Sequence, residues 1–164
     1  MRTIDVCPGT LAPGFNTYSP TCLRKVFGGK KVSHIMDLSI NDDTGSEIVA
    51  SINKISISGV QEKISAIIRK GKIIITPDGE FGRYIIKPIP EYRNLRFRHN
   101  IPANEHLTMQ IANQVYKINT AANALAFFAD GNPFYITKRF DYKADESKIR
   151  QDDFASIAGK TERN

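Results

Sequence analysis

Cysteine, histidine and long apolar runs are all scarce in this sequence, and each scarcity removes a class of function. Its two cysteines stand at Cys7 and Cys22. Two thiols with no histidine or second pair beside them cannot complete a tetrahedral zinc site, and in a reducing compartment they are expected to be free thiols rather than a disulfide. The three histidines, His34, His99 and His106, share no spacing with a carboxylate or a cysteine. That argues against a metal cluster and against a Ser–His–Asp arrangement, and leaves them as surface or packing residues. No apolar run approaches the roughly 20 residues that span a bilayer. Met1 to Pro8 holds no apolar secretion core, so the expected location is the cytoplasm. Internal repeats and low-complexity stretches are missing as well.

What remains is ordinary globular material. The 164 residues are 41% hydrophobic and 24% charged, enough for one packed domain or part of a larger protein. A formal net charge of +6 admits phosphate, nucleic acid or an acidic protein as partner without choosing among them.

Residues 1–45 are rich in turns: Pro8-Gly9, Pro13-Gly14 and Ser19-Pro20. A short helix is expected over Cys22–Phe27, stopped by Gly28-Gly29, with a strand within Val32–Ile40. Asn41 to Gly45 reads as a turn and linker. From Ser46 onward the pattern sharpens, and 46–164 is taken as the main unit. Strands are expected at Ile55–Ile57, Lys63–Arg69, Lys72–Thr76 and Arg83–Ile89. Lys70-Gly71 supplies a tight turn and Pro77 to Glu80 another. These strands together suggest an antiparallel meander. After a basic loop, Asn104 reads as the N-cap of a helix running to about Tyr116, with Leu107, Met109, Ile111 and Val115 as its apolar face. Ala121–Ala129 and Phe134–Phe140 form a hairpin around Asp130 to Pro133, and Asp152–Ile157 is a last short amphipathic piece. The fold class is therefore α+β: an antiparallel sheet with one main helix.

Two features carry chemistry. In Ile55-Ser56-Ile57-Ser58-Gly59-Val60-Gln61-Glu62-Lys63, alternating apolar residues run up to a glycine and a polar cluster. This is either an ordinary hairpin or a turn whose outward N–H groups suit a phosphate. Lys87 lies within Tyr84-Ile85-Ile86-Lys87-Pro88-Ile89. It either points to solvent from an edge strand, as Pro88 suggests, or is held inside against a carboxylate or phosphate. The order of parts bears on that choice. A glycine turn, a strand with an internal lysine, a helix with a glutamate and two more strands is the layout of a protein-kinase N-lobe. Glu105 is the acidic residue of the helix from Asn104, and a buried ammonium needs such a counter-ion.

The phosphate-loop stretch, Ile85-Ile86-Lys87-Pro88, Asn104-Glu105-His106 and Thr137-Lys138-Arg139-Phe140-Asp141 resemble four successive blocks of the HipA-type toxin kinases. Gln151-Asp152-Asp153-Phe154 is similar to the opening of the following helix. The resemblance covers Ile55 to about Thr161. It implies a bacterial serine/threonine protein kinase of a toxin–antitoxin system, with ATP and Mg2+ as cofactors. Ser58, Gly59, Val60, Gln61, Glu62 and Lys63 would lie along the ATP phosphates, Lys87 would hold them, and Glu105 would be its partner. Lys138, Arg139 and Phe140 would line the adenine side by backbone contact and packing. Ser56 matches the family's autophosphorylated serine, and Ser58 beside it is more like the HipT-type branch, where both are modified. Implied partners are a HipB-like DNA-binding antitoxin, a small HipS-like protein and an aminoacyl-tRNA synthetase as substrate. No membrane partner or direct nucleic-acid contact is implied.

The family's C-lobe, with its catalytic and metal-binding aspartates, has no counterpart before Asn164. Asp141, Asp152 and Asp153 fall in blocks used for a strand end and a helix start. The expectation is thus an N-lobe portion, with no catalytic residue of its own and inactive alone. Two competing readings stand beside it. One is an inactive module that docks an antitoxin. The other is a nucleic-acid-binding module resting on the net charge and on Tyr92-Arg93-Asn94-Leu95-Arg96-Phe97-Arg98-His99, where aromatics alternate with arginines.

Overall fold

The strands β2 (Ile64–Arg69) and β3 (Lys72–Ile75) are rich in isoleucine, and Lys70-Gly71 joins them. Both turn residues have positive φ, 49° and 76°, the geometry of the type I′ turn, whose twist matches that of the paired strands. The computed structural model describes residues 4–38, 62–90, 95–143, 145, 147–152 and 154–159. The expected strand at Ile55–Ile57 and the turn at Asn41 to Gly45 lie outside these residues.

The remaining strands are β1 (Ile35–Met36), β4 (Tyr84–Lys87), β5 (Asn123–Phe128) and β6 (Pro133–Lys138). They form one six-stranded sheet in the order β1-β5-β6-β4-β2-β3. That order corrects the meander: β4 pairs with β2 rather than with its predecessor β3, which lies outermost. It also corrects an all-antiparallel sheet, because β1 runs parallel to β5, Ile35 opposite Phe127. The β5–β6 hairpin turns at Asp130 to Asn132, where the Asp130 carboxylate accepts from the Asn132 N–H at 2.9 Å. The sheet curls into a barrel-like form. Its two ends approach where the Ser33 N–H donates to the Gly71 carbonyl at 2.9 Å and where Lys72 pairs with Asp37.

Helix α1 (Pro20–Phe27) begins two residues before the expected Cys22. Ser19 and Pro20, read as a turn, are its cap and its first position: the Ser19 hydroxyl accepts from the Cys22 N–H, and proline loses no helical bond there. Gly28 closes the helix in the left-handed conformation. Val26 and Phe27 pack with Ile64, Ala66, Ile86, Ala124, Phe134 and Ile136 in the core. Cys7 and Cys22 are buried free thiols in the same cluster.

Helix α2 (Ile101–Gln110) starts after a 3-10 turn at Arg98–Asn100 and runs on into a π turn at Ile111–Val115. Asn104 is therefore inside the helix rather than its cap. The apolar face is also corrected: Leu107, Ile111 and Val115 are exposed, at 46%, 42% and 66%, while Pro102 and His106 are buried. Helix α3 (Phe154–Ile157) is a single turn. Among the described residues, no helix is long and apolar enough to cross a membrane.

Candidate functional site

Strand β4 lies between β6 and β2, so Lys87 at its end is not on an edge strand. The edge reading of this lysine is thereby corrected: Pro88 follows the strand's last paired residue instead of interrupting the ladder. Lys87 stands opposite Tyr135 of β6, on the sheet face that α2 covers. Its ammonium meets the Glu105 carboxylate at 2.5 Å, with both side chains about four-fifths buried (22% and 20% exposed). The Lys87 ammonium also lies 5.5 Å from the centre of the Tyr135 ring. Burial pushes the Tyr135 phenol up to about 12, so the ring faces the ion pair as a neutral group.

Glu105 occupies the second turn of α2 rather than the first, and from there it meets Lys87 of β4. One residue on, His106 is buried against β5, its Nδ1 2.8 Å from Oδ1 of Asn123. Gln110 donates to the same oxygen at 3.1 Å, and the Asn123 amide donates to the Ala121 carbonyl. Burial lowers the affinity of His106 for a proton. Its Nε2 is buried and has no hydrogen-bond partner among the described residues. The seam between helix and sheet is thus polar, an ion pair beside a histidine–amide network. Lys87 and Glu105 were legible as a pair from the order of parts. Tyr135, Asn123 and Gln110 were missed, although a polar Asn123 opening the apolar run Ala124 to Phe128 was an available signal.

Ser56, Ser58, Gly59, Val60 and Gln61 lie outside the described residues. Glu62 is buried and Lys63 half-buried where they lead into β2. Lys138 ends β6, paired with Tyr84. Residues 84 and 87 differ by an odd number, as do 135 and 138, so the side chains of Lys138 and Lys87 leave opposite faces of the sheet. Arg139 forms two bonds to Asp141, at 3.0 and 2.7 Å, and stacks over Tyr142 at 4.5 Å. The Asp141 bonds strengthen the arginine's hold on its proton and keep the Asp141 carboxyl below its ordinary value. Phe140 is 65% exposed. In the basic loop, Arg93 is outside the described residues and Arg96 stacks on Phe97 at 5.2 Å. Among the described residues no group of three potential ligands could hold a metal ion.

The sequence model of the HipA-like C-terminal domain matches residues 55–164. The chain belongs to that family. No curated protein matches it.

Proposed function

We infer that this chain supplies the ATP-holding, N-lobe-like part of a HipA-type serine/threonine protein kinase. The observation that carries this reading is the Lys87–Glu105 ion pair between an inner strand and the covering helix. A lysine so held is neither loose in solvent nor sealed away. Its carboxylate partner fixes the direction of the ammonium, which leaves the remaining N–H donors for phosphate oxygens. The residues present fit a nucleotide in that respect: a cation one-fifth exposed, beside the neutral Tyr135 ring. ATP, when bound, supplies the phosphoryl group to be transferred.

In this reading Lys87 binds the phosphates, Glu105 orients Lys87, and Ser58 to Lys63 would lie along the phosphates. Lys138 to Phe140 contribute backbone contacts on the adenine side. Mg2+, held by carboxylates outside the described residues, would neutralise charge on the phosphates. Ser56 and Ser58 would take up phosphate in the active kinase, where a dianion beside the site repels the ATP phosphates and switches the site off. The cellular setting is a toxin–antitoxin system in the cytoplasm, with a HipB-like antitoxin, a small HipS-like protein and an aminoacyl-tRNA synthetase as substrate.

Calorimetric titration with ATP and Mg2+ tests the assignment, comparing wild type with Lys87→Ala. Binding lost in a variant that still melts cooperatively is the expected result. Unchanged affinity would remove Lys87 from the nucleotide site and, with it, the kinase reading of the pair.

A further inference from the structure

On the face of the sheet opposite Lys87, a groove of about 600 Å³ runs between the end of α1 and the end of β6. Its lining includes Lys25, Thr120, Lys138, Arg139, Phe140 and Tyr142. Lys138 points there because its cross-strand partner Tyr84 does: the Tyr84 hydroxyl donates to the Val26 carbonyl at 3.2 Å. Val26 is the neighbour of Lys25 on α1, so register and helix together bring two ammonium groups to one groove. Among the described residues no carboxylate lines it, and neither lysine has an ion-pair partner. The Arg139 charge is answered by Asp141, which leaves an excess of two positive charges, from Lys25 and Lys138. Beside them stands Phe140, largely exposed although it follows a strand whose inner residues are fully buried.

We propose that this groove docks an acidic segment of a partner protein, its carboxylates meeting Lys25 and Lys138 and an apolar side chain covering Phe140. Charge complementarity selects the sign of the occupant. The shape of the charge selects a peptide over a nucleic acid. The two lysines share one pocket instead of tracking along a surface, as a phosphate backbone requires. Tyr142 is already committed to Phe81, at 4.2 Å, and to Arg139, so only Phe140 is open, too little for successive bases.

The test is a fluorescence titration of the whole chain with a labelled peptide of alternating glutamate and leucine. Saturable binding that weakens as salt rises is expected. Lys25→Glu with Lys138→Glu should weaken it about tenfold. Lys30→Glu with Lys31→Glu, an equal change of net charge outside the lining, should leave it within about twofold. Circular dichroism checks folding; if the reversed pair unfolds, Lys25→Ala with Lys138→Ala is read instead, with a loss of about threefold expected. Lack of binding, equal losses in both pairs, or tighter binding of a single-stranded oligonucleotide through the same lysines would each overturn the proposal.

Discussion

His106 Nδ1 and Asn123 Oδ1 lie 2.8 Å apart in the seam where α2 meets β5. Burial is the main reason that His106 resists protonation; the bond to Asn123 opposes it without prevailing. The unfolded chain regains an ordinary histidine, near 6.5. Below that value the unfolded state takes up a proton that the folded state refuses, so stability present above pH about 6.5 is lost as the pH falls toward the lowered folded value. His34, also lowered by burial, adds to the same slope. Thermal melts should show Tm falling below pH about 6.5, and His106→Gln should flatten part of that fall. A slope unaltered in the variant would mean that other groups set it.

The Lys87–Glu105 pair predicts an energetic coupling. Either Lys87→Met or Glu105→Gln leaves one charge in a largely buried seam, and each should cost about 1–2 kcal/mol in urea unfolding. The double variant strands no charge, so it should cost less than the two single losses together. Strict additivity would show that the pair contributes no coupling.

Gly71 carries a turn with φ 76°, and an added β-carbon would stand 3.0 Å from the Lys31 carbonyl. Gly71→Ala should therefore destabilise the protein by about 1–2 kcal/mol, from left-handed strain and the close approach. Lys70 already carries a side chain in the left-handed region, at φ 49°, and Lys70→Gly should relieve that strain, being neutral or stabilising by up to about 1 kcal/mol. Denaturant midpoints of the two variants should move in opposite directions or differ clearly in size.

Ser19 serves two structures at once. Its hydroxyl caps α1 through the Cys22 N–H and also bonds to the Cys7 thiol, while its own N–H donates to the Cys7 Sγ at 3.1 Å. Burial alone would push that thiol up. The Ser19, Thr10 and Gly9 hydrogen bonds outweigh it and bring Cys7 down to about 7. Ser19→Ala should cost about 1 kcal/mol through the lost cap and raise the Cys7 midpoint, read from thiolate ultraviolet absorbance. A lost cap with an unmoved midpoint would assign the lowering to Thr10 and the backbone N–H groups.

The hairpins were legible because Lys70-Gly71 and Asp130 to Pro133 are local instructions, read by a few residues from their neighbours. The sheet order was not, because pairing β4 with β2 instead of β3 depends on contacts that no short window contains. The misread face of α2 has a different cause. Leu107, Ile111 and Val115 do recur at helical spacing, but periodicity identifies an apolar stripe without saying what it meets. Here the sheet opposite the helix presents Lys87 and Asn123, so Glu105, His106 and Gln110 are the complementary side. At the site, the order of parts was enough to join Lys87 to Glu105. It could not reveal that Lys138 leaves the other face, which follows from a register known only once β4 and β6 are paired.

The junction of Ser33 with Gly71 has a consequence for how this chain reaches its native state and avoids self-association. β1 lies beside β5 across more than half the sequence, Ile35 against Phe127, a loop closure whose entropic cost must be met before the contact contributes. The barrel-like curl is expected to complete late, after the local hairpins. Until then the outer backbone groups of β3 and β5 are open templates for a strand of another molecule. The short β1 acts as a latch over those edges, and weakening it should show first as aggregation during refolding.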